Sequence, residues 1–166
     1  TLKPAALVIP AYAPPEGLSK VDALSTFKEN LKYAADAFGD IGTRVIVEPL
    51  NPNVRPNSLL STSAETMAII EEVSHPNLGL EFDAYHMYYT EGNMEATVEQ
   101  YLPYIGNIQI EDGPERHEPG TGEMNYDIFL AALERLNYEN WVACEYVPSS
   151  NTLDSLEWMG KWMWTV

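Results

Sequence analysis

Residues 44–48 read RVIVE, three β-branched apolar residues that run into a glutamate. So short and apolar a run suits a strand buried in a parallel sheet. An acid in its last position is costly unless something there uses it. The form recurs along the chain. LGLEFD (Leu78–Asp83) ends on Asp83, NIQIE (Asn107–Glu111) carries Gln109 and Glu111, and WVACEY (Trp141–Tyr146) carries Glu145. A fifth run, ALVIP (Ala6–Pro10), lacks a polar end.

Helical patterns fill the intervals. Leu24, Phe27, Leu31, Ala34, Ala35 and Phe38 repeat at helical spacing, and Gly39 and Gly42 stand where that helix should stop. Thr62 to Glu65 reads as a capping box that opens a helix with Met67, Ile70 and Val73 on one face. Asn125 is placed to cap a helix carrying Phe129, Leu130, Leu133 and Leu136. A weaker helix covers Met94 to Tyr104, and Ser155 to Trp164 closes the chain with Leu156, Met159, Trp162 and Met163. Strands alternating with helices predict an α/β fold of parallel strands and crossover helices. Acids on strand after strand point to one C-terminal face, where barrel enzymes keep their active sites. The first strand runs into Ala11-Tyr12-Ala13-Pro14-Pro15 instead of a glycine-rich phosphate loop, which counts against a dinucleotide fold. A (β/α)8 TIM barrel is the better reading than an open doubly wound sheet.

The bulk numbers narrow the function. The 166 residues carry 9 Lys+Arg against 25 Asp+Glu, a net charge of −16. That argues against a phosphate-neutralising nucleic-acid binder and against a protein docked on an anionic membrane. At 45% hydrophobic residues the chain can build a core, yet no apolar run reaches the length of a membrane span. Cys144 is the single cysteine, so no intrachain disulfide forms. It precedes Glu145 and should face the other side of its strand, which argues against a nucleophilic role. Without a signal pattern the expected location is cytoplasmic. The chain opens on Thr1 in place of an initiator Met, which suggests a start within a longer protein. No sequence feature specifies an oligomer.

Glu48, Asp83, Gln109 and Glu145 are all oxygen donors, a set suited to a hard or borderline divalent ion such as Mg²⁺ or Mn²⁺. Such an ion would act as a Lewis acid on a substrate carbonyl, and two glutamates could move protons. His86 lies just beyond Asp83 and can contact a substrate oxygen or serve as a loop residue. Arg116 and His117 sit in a loop rich in proline and glycine, and either can bind a substrate carboxylate; the guanidinium fork of Arg116 fits one, or else an ion pair with Glu115 or Glu118. Arg55 is a weaker alternative clamp, and His75, before Pro76, reads as a turn residue.

VIVEPLN (Val45–Asn51), FDAYHM (Phe82–Met87), IQIEDGPERHEPGTGEMNY (Ile108–Tyr126) and CEY (Cys144–Tyr146) resemble the hydroxypyruvate isomerase family, within the xylose-isomerase-like barrel superfamily. The resemblance runs from about Ala5 to about Trp158, and RHEPGTGE is its most specific part. It implies a small-molecule substrate, hydroxypyruvate, exchanged with 2-hydroxy-3-oxopropanoate through an enediolate. It implies that Glu48 and Glu145 are the catalytic pair and that Asp83 and Gln109 complete their metal set. His86 falls on a substrate-contacting histidine, and no cofactor beyond a divalent ion is implied. A close relative isomerises 2-oxo-tetronate, which stays open as an alternative beside other sugar isomerases and epimerases. Endonucleases of the superfamily that act on abasic DNA depend on many more histidines than the three present and on a basic face. Barrels of this type need about 250 residues and eight strands. Residues 1–166 are therefore expected to be the C-terminal part of one barrel domain, strands four to eight, with a non-catalytic fragment as the remaining alternative.

Overall fold

The α-helices begin where a short polar side chain can satisfy their first free N–H groups. The Ser19 hydroxyl accepts from the Asp22 amide at the start of α1 (Lys20–Gly39), and Asn125 accepts from Ile128 at the start of α5 (Tyr126–Arg135). Thr62 accepts from Glu65 at the start of α2 (Ser63–Val73), while Glu65 reaches back to the Ser61 amide at 2.7 Å, one residue earlier than a standard capping box. Gly42 follows α1 with φ +76°, the left-handed turn that lets the chain reverse into the next strand.

The structure, a computed structural model, describes residues 4–162. Its strands are β1 (Ala6–Pro10), β2 (Arg44–Glu48), β3 (Leu78–Asp83), β4 (Ile105–Ile110) and β5 (Trp141–Cys144). They form one sheet in the order β1-β2-β3-β4-β5, all parallel. Side chains alternate across each strand. Val45, Val47, Leu78, Leu80, Phe82, Ile108 and Ile110 belong to the core with Leu31, Met67, Val98, Phe129 and Leu133 of the helices. The opposite face carries Ile46 and Glu48, Gly79, Glu81 and Asp83, Asn107 and Gln109, and Ala143. Sequential strand order with helices on one face is the winding of a barrel; a doubly wound sheet reverses order and is covered on both faces. The five strands make part of such a barrel, and its inner wall is open. Ala6, Val8, Ile46, Asn107, Trp141 and Ala143 line a groove of about 380 Å³ there, with Trp141 73% exposed. Among the described residues no helix is long and apolar enough to cross a membrane.

Several boundaries differ from the sequence reading. β4 begins two residues earlier and ends before Glu111, and β5 ends at Cys144, so Glu111 and Glu145 stand just past their strands. The helix over Met94–Tyr101 (α4) tightens into a 3-10 turn over Leu102–Tyr104, because Pro103 has no N–H to continue an α-helix. The expected closing helix is a 3-10 stretch over Asp154–Lys161 that no side chain caps; Met163 and Trp164 lie outside the described residues. A seven-residue helix absent from the expectation, α3 (Ala84–Thr90), begins directly on Asp83.

Phe82 is fully buried and stacks against Phe129 at 6.0 Å between ring centroids, tying β3 to α5. Phe82→Ala should cost about 3–5 kcal/mol of stability, read as a lower midpoint in a denaturant melt.

Candidate active site

Asp83 ends β3 and caps α3. Its Oδ1 accepts from the Tyr85 amide at 2.8 Å and the His86 amide at 3.2 Å. Its Oδ2 is buried without a partner. The cap turns the chain so that the His86 ring lies against the sheet end, with Nε2 3.6 Å from Glu48 Oε1 and 3.8 Å from Asp83 Oδ2. On the other side of the ring Nδ1 accepts from the Asn51 amide at 3.2 Å. A neutral imidazole that accepts at Nδ1 carries its proton on Nε2. His86 therefore presents a donor to the site, and burial followed by the nearby Arg116 and Arg55 lowers its pKa to about 4, which keeps the ring neutral.

Carboxylates crowd around this donor. Asp83, Glu111 and Glu145 can bring oxygens within 4.8 Å of one another, and Glu48, Asp83 and His86 form a second such group. Burial, and then the Glu145 charge, raises Glu48 to about 7. Burial with Glu111 and Glu48 pushes Asp83 well above the usual carboxylate range. Burial also raises Glu111, against the pull of Arg116. The Tyr126 hydroxyl pins this end of the sheet, donating to the Glu111 carbonyl at 2.6 Å and accepting from its amide at 3.1 Å.

The loop after β4 is anchored from inside. Asp112, almost wholly buried, accepts from the amides of Gly120, Gly122 and Met124 at 2.8, 3.0 and 3.0 Å. Arg116 then adopts φ +62° and turns its guanidinium inward. It is in ion-pair contact with Glu111, lies 3.9 Å from Glu145 and sits 4.9 Å over the Tyr85 ring. The partner is thus a buried acid; the surface acid Glu118 is engaged by Ser149 instead. His117 stays apart from the carboxylates, its Nδ1 donating to the Val147 carbonyl at 2.7 Å and tying the loop to the chain after β5.

Of the expected oxygen donors, Glu48, Asp83 and Glu145 are brought together at one sheet end. Gln109 is the register partner of Asp83, and its Oε1 is buried without a partner. Orphaned buried oxygens on Asp83 and Gln109 within an all-oxygen set fit a divalent cation held by Glu48, Asp83, Gln109 and Glu145. Two residues went unnoticed in the sequence. Glu81 is fully buried one step below Asp83, with Oε1 accepting from Asn107 at 2.9 Å. A glutamate in the middle of LGLEFD, two residues before the aspartate and hence on the same face, was the signal for it. Asn51 is buried beside His86 with a free Nδ2, and only the tertiary contact marks it.

Comparisons with known proteins agree with the barrel fold. Residues 3–162 match the sequence profile described as xylose isomerase-like TIM barrel. The chain is 38% identical to the hydroxypyruvate isomerase of Escherichia coli (strain K12), covering 87% of this chain and 56% of that protein. It is 36% identical to the 2-oxo-tetronate isomerase of Pectobacterium atrosepticum, covering 96% and 61%. A solved structure described as AP endonuclease, family 2, from Brucella melitensis superposes with a TM-score of 0.85 at 33% identity, covering 93% and 60%. The chain therefore spans between 56% and 61% of the length of these proteins.

The buried acids give folding a pH dependence. Burial raises Glu81 from 4.5 to about 8 and Glu48 to about 7, so the folded state holds protons that the unfolded chain has released. Stability then falls as pH rises through these values. His86 is mostly neutral in both states only above about pH 7, so the slope between about pH 7 and 8 reports the buried carboxyls, Glu81 and Glu48 together with Asp83. Metal-free protein should lose stability over that window in denaturant melts, and Glu81→Gln should flatten the slope; an unchanged slope would count against a protonated Glu81.

Proposed function

We propose, from the premise that this chain belongs to the xylose isomerase-like TIM barrel family, that it forms the active end of an isomerase interconverting hydroxypyruvate and 2-hydroxy-3-oxopropanoate. The observation that carries the reading is the placement of Glu48 and Glu145 at the ends of β2 and β5 around the buried Asp83, with the His86 donor between carboxylates. The 38% identity to a hydroxypyruvate isomerase supports it. The five strands are read as the fourth to eighth of a barrel that about 250 residues complete, and residues 1–166 as its C-terminal part.

The reaction moves one proton from C3 to C2 of a three-carbon keto acid. One glutamate of the pair takes the C3 proton, which leaves an enediolate across C2 and C3. The Nε2–H of His86 donates to the C2 oxygen as its negative charge develops. The other glutamate delivers a proton to C2, and a proton passes between the two oxygens to give the aldehyde. Glu48 suits such work because its carboxyl is buried at the sheet end beside the His86 donor, where it can exchange a proton with a bound substrate. A divalent ion on Glu48, Asp83, Gln109 and Glu145 would supply Lewis-acid stabilisation of the developing charge. Arg116 remains the proposed partner of the substrate carboxylate through guanidinium N–H groups that Glu111 leaves free. His117 serves this role through the loop, whose place it holds.

A second reading is favoured by the 36% identity to a 2-oxo-tetronate isomerase, whose substrate is one carbon longer. The same residues would perform the same proton transfer. The nuclease description of the Brucella structure has no counterpart in this chain's charge, −16 with 9 basic residues.

The complete barrel, incubated with hydroxypyruvate in D₂O and followed by proton NMR, should show a growing 2-hydroxy-3-oxopropanoate signal and lose it with chelator. No conversion and no exchange at C3, with turnover of 2-oxo-tetronate, would select the second reading. Glu48→Gln and Glu145→Gln should each lower kcat at least about 100-fold; near-normal activity in both would sink the proton-transfer scheme.

A further inference from the structure

The two groups of potential ligands share Asp83. One is Glu48, Asp83 and His86, and the other is Asp83, Glu111 and Glu145. Such an arrangement offers oxygens for two cations. In the second group, a cation of the chain itself is already in place. Arg116 contacts Glu111 and lies 3.9 Å from Glu145, so it bridges two of the three acids of that group.

This placement is built into the loop. The Arg116 amide donates to the Asp112 carbonyl at 2.8 Å, and the Val147 amide donates to the Arg116 carbonyl at 2.8 Å. Together these bonds hold a non-glycine residue at φ +62°, the left-handed conformation that side chains disfavour. The Tyr85 face receives the guanidinium from below. Glu111 is fully buried, and neither of its oxygens has a conventional hydrogen-bond partner, so the Arg116 ion pair is its one compensation among the described residues.

We propose that Arg116 is the resident cation of the Asp83–Glu111–Glu145 group, filling the place of a second divalent ion, and that Glu111 is the positioning residue that holds it there. This rests on the reading of the cluster as a divalent-ion site. A guanidinium neutralises carboxylates without accepting a lone pair, and it stays charged at any working pH. It therefore relieves repulsion while leaving the site with one Lewis acid. It also occupies the Glu111 oxygen that a neighbouring ion would need and stands within 3.9 Å of Glu145.

The test is a Mn²⁺ titration of the purified protein, with bound metal measured by elemental analysis and its environment by electron paramagnetic resonance. The wild type should bind one Mn²⁺ per chain with the spectrum of an isolated ion. Arg116→Met should bind a second Mn²⁺ and show an exchange-coupled spectrum, and adding Glu111→Gln to it should return the count to one. Arg116→Gln gives the same comparison should the methionine variant fold poorly. Two ions in the wild type, or one in both Arg116 variants, would overturn the inference and leave the ion site standing. No bound Mn²⁺ in any of the proteins would overturn the ion-site reading and this inference together.

Discussion

Asp83 is wholly buried, with acids converging on it from neighbouring strands. Like charges 4–5 Å apart repel by on the order of 3–4 kcal/mol per pair even at an effective dielectric constant near 20. Much of the sheet end is arranged around that repulsion. Protons relieve part of it, as the raised Glu48, Glu81 and Asp83 record. The guanidinium of Arg116 relieves another part at Glu111 and Glu145. A divalent cation is the third means, and the orphaned oxygens of Asp83 and Gln109 are where it would act.

The acids can gather there because of how the sheet is covered. Val45, Val47, Leu80 and Phe82 bury one face of the strands against the helices, and this burial stabilises the fold. Alternation then leaves Glu48, Glu81 and Asp83 on the other face, where the helices supply no apolar partner. Asp83 links the two functions. One of its oxygens caps α3, and that cap sets the ring of His86 against Glu48. The other is left free for chemistry. Asp112 plays a related part for the loop, spending its buried carboxylate on three amides and so fixing the backbone from which Arg116 reaches inward.

Most of the fold was legible along the chain, because its strands and caps are local features. RVIVE and LGLEFD are strands as read, and Ser63–Val73 begins at the expected threonine cap. α3 was not legible. AYHMYYT is short and rich in aromatic residues, and only the preceding aspartate, itself needed in the site, starts it as a helix. Pro103 signalled a break in α4 that helical spacing alone passed over.

The sequence by itself determined the alternation of strand and helix, the face on which each acid stands and the oxygen-only character of the donor set. Spacing, polarity and turn chemistry decide these within a few residues. Tertiary structure decided which groups meet. Arg116 was readable as a cation on a loop, but its partner is Glu111, buried at the end of β4, and the contact depends on the Asp112 anchor and the turn at φ +62°. His86 was readable as a residue after a strand, but its tautomer is set by the amide of Asn51, 35 positions away in the chain. Such choices depend on distances across the sheet, and the repulsion among buried acids is relieved only once those distances exist.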